Sequence, residues 1–156
     1  MASEAIEETL APGTRRSDVE IGTDASRLDL DMVHAFLAGS YWAAGIPREV
    51  VERAVRHSLC FGAYLGDRQV GFARVISDRA TYAYLSDVFV LPSERGRGVG
   101  SRLMAAIMAH PELQGLRRLA LFTRDAHGLY RQFGFTPLKN PDASMERTNP
   151  DIYTSA

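Results

Sequence analysis

The chain has 156 residues, 46% of them hydrophobic and 24% charged, with a net charge of −1 and one cysteine. That length suggests one domain with a core large enough to fold without staples. The near-neutral balance excludes a general basic surface for nucleic acid, the lone Cys60 excludes an internal disulfide framework, and no run approaches the ~18 apolar residues that span a membrane. No charged-then-apolar N-terminus suggests a signal peptide, so the expected location is cytoplasmic. Cys60, flanked by Leu59 and Phe61, reads as a small buried side chain. All but one of the 18 Lys and Arg residues are arginine, which leaves Lys139 as the single candidate for Schiff-base chemistry.

Residues 1–18 are polar and acidic, contain Pro12-Gly13, and read as a mobile tail before a single domain over 19–156. Val19-Glu20-Ile21 alternates like a short strand. Asp29 is placed to cap a helix in which Leu30, Val33, Leu37 and Tyr41 recur at helical spacing, ending near Gly39 or Ala44-Gly45. Pro47 suits the first position of a second helix. Its Val50, Val51, Ala54 and Val55 form one face and Arg48, Glu49, Glu52, Arg53 and Arg56 the other. Three antiparallel strands are expected next: Phe61 to Leu65, Gln69 to Ile76 and Thr81 to Val90, joined by Gly66-Asp67 and by a turn at Ser77 to Ala80.

The stretch from Asp87 to Met104 carries the strongest chemical signal. An apolar run, Val88-Phe89-Val90-Leu91, breaks at Pro92, passes through Arg95-Gly96-Arg97-Gly98-Val99-Gly100, and continues as a helix bearing Val99, Leu103, Ala106 and Ile107. Strand, glycine-rich turn and helix in that order form an anion cradle. The first N–H groups of a helix lack intrahelical partners, its dipole makes that end positive, and glycines let a phosphate approach without meeting a Cβ. Arg95 and Arg97 add charge that can pair with phosphate oxygens. A dinucleotide fingerprint would need a different glycine spacing inside a βαβ unit, and a P-loop would need a lysine after its last glycine. Beyond this helix, Arg118 to Phe122 reads as a strand. Asp125 is placed to cap a short helix with Ala126, Leu129, Tyr130 and Phe133 on one stripe, Gly134 ends it, and Phe135 to Leu138 begins a last pair of strands.

Two motifs in this order, Arg95-x-x-Gly98-x-Gly100 and Ala126…Tyr130…Gly134-Phe135, resemble the GNAT superfamily of N-acetyltransferases over roughly Val19 to Leu138. The resemblance implies an α+β (mixed α/β) fold, with a central, mostly antiparallel sheet of about six to seven strands flanked by about four helices. It implies acetyl-CoA as the cofactor and transfer of its acetyl group to an amine in a ternary complex. Backbone N–H groups of Arg95, Gly96, Arg97, Gly98, Val99, Gly100 and Ser101 would hold the pyrophosphate. Main-chain groups of Val88, Phe89 and Val90 would pair with the pantetheine arm as an added strand would. Thr123 stands where the family often has an asparagine that contacts the cofactor; a hydroxyl is shorter and lacks the paired donors of an amide.

Tyr130 stands at the position of the family's general acid. A phenol with a reference pKa of about 10 can protonate a departing thiolate of about 8.5 if it is well placed. The base is open among Asp87, Tyr84, His127 and water. Simple alternation points Asp87 away from the face shared by Tyr84, Ser86 and Val88, and a β-bulge would reverse that parity. An ion pair with Arg74 is the structural alternative for Asp87. Tyr41, Trp42, Phe61, Tyr82 and Tyr84 are expected as aromatic walls of an acceptor pocket. Arg74, placed opposite Tyr84, would suit an acceptor carrying a carboxylate, such as an amino acid. No metal site is expected, and a monomer or homodimer would serve; Ile152-Tyr153 reads as an intermolecular contact or a seal on the core. The expected acceptor is a small-molecule amine, against two alternatives: a protein N-terminus or lysine, and a non-catalytic acyl-CoA sensor.

Overall fold

A computed structural model describes residues 18–154 of the chain. The expected tail, residues 1–18, lies outside these residues apart from Asp18. Five strands form one sheet in the spatial order β1-β2-β3-β4-β5. They are β1 Glu20–Gly22, β2 Leu59–Leu65, β3 Arg68–Ser77, β4 Tyr82–Val90 and β5 Arg118–Leu121. Neighbours from β1 to β4 pair antiparallel, and β5 lies parallel to β4. The α-helices are α1 Leu30–Ala38, α2 Arg48–Arg56, α3 Val99–Ala109 and α4 His127–Arg131. The mixed α+β architecture is as expected, with five strands among the described residues where six to seven were expected. No strand forms from Phe135 to Leu138. Gly134, at φ +88, ends α4, the Phe135 N–H bonds back to the Tyr130 carbonyl at 3.2 Å, and Pro137 has no N–H for a ladder.

β2 and β3 are largely buried on both faces, which is why they read as apolar runs, whereas β4 alternates over Tyr82 to Ser86 and is buried on both faces only from Val88 to Val90. On one face α3 lays Leu103, Met104 and Ile107, all at 0% exposure. Its approach is close because Gly71 has no side chain: a Cβ there would meet Ala63, the Phe89 carbonyl and Leu103 at 3.2–3.3 Å. Each such Leu or Ile contributes about 1.5–3 kcal/mol by burial. On the other face α1 and α2 pack through Val33, Leu37, Val51 and Val55, and the Phe36 ring stacks on Phe89 with centroids 3.9 Å apart.

Local chemistry sets the element ends. The Asp29 carboxylate accepts from the Met32 N–H at 3.1 Å and caps α1 as expected. Pro47 stands one position before α2 rather than inside it. The Asp78 carboxylate accepts from the Thr81 hydroxyl at 2.6 Å and gathers the N–H groups of Ala80, Thr81 and Tyr82 at 2.9, 2.7 and 3.2 Å; this fixes the turn between β3 and β4, and the hydroxyl first, then the N–H groups, hold that carboxyl well below its usual range. This turn puts Arg74 opposite Ser86 and Ile76 opposite Tyr84. The expected pairing of Arg74 with Tyr84 is therefore off by two residues, because the turn is longer than the sequence reading assumed. Further along, Phe72 faces Phe89, so β4 holds one more residue than β3 between the two pairs. That residue makes a β-bulge, and Asp87 within it has φ +54.

Candidate active site

β5 accompanies β4 only from Tyr82 to Leu85. Beyond it, from Ser86 to Val90, that edge of β4 has no strand beside it among the described residues. The bulge at Asp87 coincides with this departure, since an extra residue bends its strand and increases the local twist. The result is a splayed gap between two parallel strands, with main-chain groups of β4 along one side.

The glycine turn closes one end of the gap. Gly96 and Gly98 have φ +78 and +81, a region that glycine adopts without strain. Gly98 is the N-cap of α3, and the first bond of that helix runs from the Arg102 N–H to the Gly98 carbonyl at 3.1 Å. The positive end of α3 therefore faces the turn. The arginines do more than offer charge outward, as the sequence reading had them. Arg95 Nε donates to the Val90 carbonyl at 3.1 Å, tying the turn to the end of β4. Glu94 is buried and takes Arg68 Nη2 at 2.5 Å, with Arg97 Nη1 3.2 Å from its other oxygen, in ion-pair range but not aligned as a hydrogen bond. A carboxylate thus balances part of the cradle's charge.

At the other end lies a cavity of about 340 Å³. Tyr41 and Trp42 from the segment after α1 form one wall, and Tyr84 through Val88 of β4 another. Phe122, Thr123, Arg124 and Asp125, just past β5, and Tyr130 of α4 complete it. Tyr41 and Trp42 meet edge to face at 5.1 Å, and the Arg124 guanidinium lies 4.0 Å over the Tyr41 ring. Tyr130 is held by two local features. The Thr123 hydroxyl accepts from the Ala126 N–H at 3.0 Å, so Thr123 rather than the expected Asp125 organises the start of α4. Phe135 then packs edge-on against the Tyr130 ring at 5.8 Å. Burial first, and the neighbouring Tyr41 and Tyr84 second, push the Tyr130 phenol well above its ordinary range, so it keeps its proton. Burial raises Tyr84 as well.

Asp87 faces this cavity through the bulge. One carboxylate oxygen accepts from the Trp42 indole N–H at 2.9 Å and the other from Arg74 Nε at 2.8 Å. Arg74 also donates to the Ser58 and Ser86 hydroxyls at 3.2 and 3.4 Å. It lines a second cavity of about 70 Å³, behind Asp87 and beneath α1 and α2, where Tyr153 of the C-terminal segment also sits. Arg74 thus makes the ion pair named as the structural alternative for Asp87, and its guanidinium does not line the aromatic cavity.

The structure gathers Tyr41, Trp42, Tyr84, Asp87, Val88, Thr123 and Tyr130 around one space. It does not bring in Phe61, which is buried against His110 on the α3 face, or Tyr82 and His127, which are exposed and do not line the cavity. Sequence reasoning missed Leu85, Ser86, Phe122, Arg124 and Asp125. Their one usable signal is position at the C-terminal ends of two parallel strands, where sites in such sheets collect. Among the described residues no three His, Cys, Asp or Glu side chains cluster as metal ligands, and no helix is long and apolar enough to cross a membrane.

The family model for the acetyltransferase (GNAT) domain matches residues 56–137. A crystal structure of a GNAT-family protein from Xanthomonas campestris pv. campestris, provisionally an acetyltransferase, superposes with a TM-score of 0.88 at 55% identity, covering 89% of this chain and 99% of that one. A protein of Gibberella zeae, provisionally named an acetyltransferase, is 34% identical over 138 residues, 74% of this chain and 77% of its own length. Serotonin N-acetyltransferase 2, chloroplastic, of Oryza sativa subsp. japonica is 34% identical over 110 residues, 64% of this chain and 53% of its own.

Proposed function

The chain belongs to the GNAT family of acetyltransferases, and from that premise we propose that it moves the acetyl group of acetyl-CoA to a small primary amine by direct attack in a ternary complex. The observation that carries the reading is the gap between β4 and β5, with a left-handed glycine turn at one end and an aromatic cavity containing Tyr130 at the other. These residues fit acetyl-CoA. The N-terminal end of α3 and the turn from Arg95 to Ser101 suit its pyrophosphate, and the uncovered edge of β4 from Val88 to Val90 suits the amides of its pantetheine arm. Thr123, already accepting at the start of α4, keeps its O–H donor and one acceptor lone pair for further contact.

Bound there, acetyl-CoA supplies an acetyl group activated as a thioester. The acceptor ammonium first loses a proton to water in the cavity, and the neutral nitrogen bonds to the acetyl carbon. Main-chain donors of β4 stabilise the oxygen's charge. Tyr130 would give its proton to the departing sulfur and take another from solvent, while water would accept the extra proton of the new amide nitrogen. His127 lies outside the cavity and has no part in this scheme.

A small acceptor suits a cavity of about 340 Å³ walled in part by Tyr41 and Trp42, whereas a protein N-terminus or lysine needs an extended groove. The rice relative is named for serotonin, an aromatic primary amine, and five aromatic side chains line the cavity here. A cytoplasmic place of action accords with a single reduced cysteine. The test follows release of free thiol from acetyl-CoA with a panel of amines and peptides. Turnover on small amines and not on peptides is expected; turnover on peptides alone would move the acceptor to protein, and tight coenzyme A binding without turnover would make the chain a sensor.

A further inference from the structure

The charged groups lining the aromatic cavity are two carboxylates, Asp87 and Asp125, and one guanidinium, Arg124. Arg124 is exposed and lies over the Tyr41 ring, a half-exposed side chain. The charge on the β4 wall, beside Tyr84 and Val88, is that of Asp87 alone. Arg74, the cation that could have answered a carboxylate there, binds Asp87 from behind and opens on the other cavity. The indole N–H of Trp42 fixes the remaining oxygen, so the carboxylate is locked in place from both sides. A carboxylate has about four lone-pair positions, and these two bonds leave others able to accept from an ammonium. The backbone is also held in a conformation that a non-glycine residue adopts only at a cost, φ +54, which is commonly seen where side-chain direction matters more than stability.

Resting on the reading above, we propose that the acceptor is an aromatic primary amine with no carboxylate beside the nitrogen, and that Asp87 sets this choice. Its ammonium docks against Asp87 and its flat body lies among Tyr41, Trp42, Tyr84 and Phe122, whose ring faces also favour a cation. An α-amino acid would bring its carboxylate next to Asp87, while Arg74 is held behind that carboxylate and Arg124 lies over the Tyr41 ring on another wall. Like charges a few ångströms apart at a half-buried site disfavour binding by roughly 10²-fold. Trp42 and Arg74 are positioning residues that aim the carboxylate.

Trp42 is the sole tryptophan and lines the cavity, so its fluorescence reports occupancy directly. Phenethylamine, phenylalanine and phenylalaninamide are titrated in the presence of coenzyme A at about pH 6.5, where all three amines are protonated. Phenethylamine should bind about 10²-fold more tightly than phenylalanine, and phenylalaninamide, which keeps the bulk and removes the charge, should lie within about tenfold of phenethylamine. Phenylalanine binding as tightly as phenethylamine overturns the proposal, and so does an amide as weak as the acid, which would make the discrimination steric. In Asp87→Asn the preference for amine over acid should shrink at least about tenfold; a preference unchanged in folded Asp87→Asn also overturns it, and the titration of the unmodified protein decides if that variant does not fold. The same amines, mixed with acetyl-CoA in place of coenzyme A and followed by thiol release, separate this idea from its parent. Discrimination in binding without thiol release from any amine removes the acetyltransferase reading, while thiol release with phenylalanine as good a substrate as phenethylamine removes only the acceptor rule.

Discussion

The two faces of the sheet are built by different rules. Beneath α3, Leu103, Met104, Ile107 and Val99 pack at 0% exposure onto a backbone opened by Gly71. Beneath α1 and α2, the same strands carry an ion pair, a bulge with a residue at φ +54, and two cavities that share Asp87 as a wall. One face supplies cohesion through complementary apolar shape. The other gives up some packing to hold a carboxylate, a phenol and an empty volume in fixed relation. Stability and chemistry are therefore separated by the thickness of one sheet, and substitutions on the two faces should fail in different ways.

The largest effect belongs to the chemical face. Tyr130→Phe should lower kcat by about 10²–10⁴-fold while coenzyme A affinity and the denaturation midpoint stay near those of the parent protein. Steady-state kinetics beside a urea melt checks this, and parallel loss of stability would make Tyr130 a packing residue instead. Leu103→Ala should do the reverse. A cavity under α3 costs about 2–5 kcal/mol of folding free energy, read in the same melt, with kcat kept in the fraction that remains folded. Trp42→Phe keeps a ring in the wall and removes the indole donor. It should raise KM for the amine about tenfold through a less constrained Asp87, at a stability cost of about 1 kcal/mol. If KM for acetyl-CoA rose equally, the two ends of the gap would not be separable.

The smallest effect is a pH dependence spread over both faces. Burial pushes the Cys60 thiol from its ordinary 9.0 up to about 12, and raises the phenols of Tyr64, Tyr84 and Tyr130 above 10. These groups stay protonated in the folded chain where the unfolded chain has lost the proton. Folded protein then binds more protons, so their contribution is complete below pH 9 and declines as pH rises towards the folded values. Melts between pH 8 and 11 should show falling midpoints, and Cys60→Ala should flatten the first part of that fall.

Local features of the site were legible in the sequence, and distant ones were not. The glycine turn, the stripe bearing Tyr130 and the Asp29 cap depend on residues within a turn or two of each other, where spacing is informative. The bulge depends on one extra residue in Leu85-Ser86-Asp87-Val88, and nothing in those four residues marks it; the alternation of β4 only exposed Asp87 as a residue whose direction a bulge would reverse. The Trp42–Asp87 bond spans 45 residues and requires α1 to be docked before it exists. The direction of Arg74 follows from the length of the turn at Asp78, which the sequence reading placed two residues short in register. Phe122, Arg124 and Asp125 earn their place only because β5 stops at Leu121 while β4 continues. Contacts set by where strands part company carry no periodicity to read.

The one cysteine of the chain, sealed between the Val55 carbonyl and the core, has a practical consequence. A folded protein whose single thiol neither ionises near neutrality nor meets solvent is silent towards thiol reagents. Every thiol such a reagent finds in a reaction mixture comes from coenzyme A. The same silence makes the molecule a clean background for one added cysteine: a reporter placed on exposed Phe122 would label at a single known site, at the edge of the cavity whose occupant is in question.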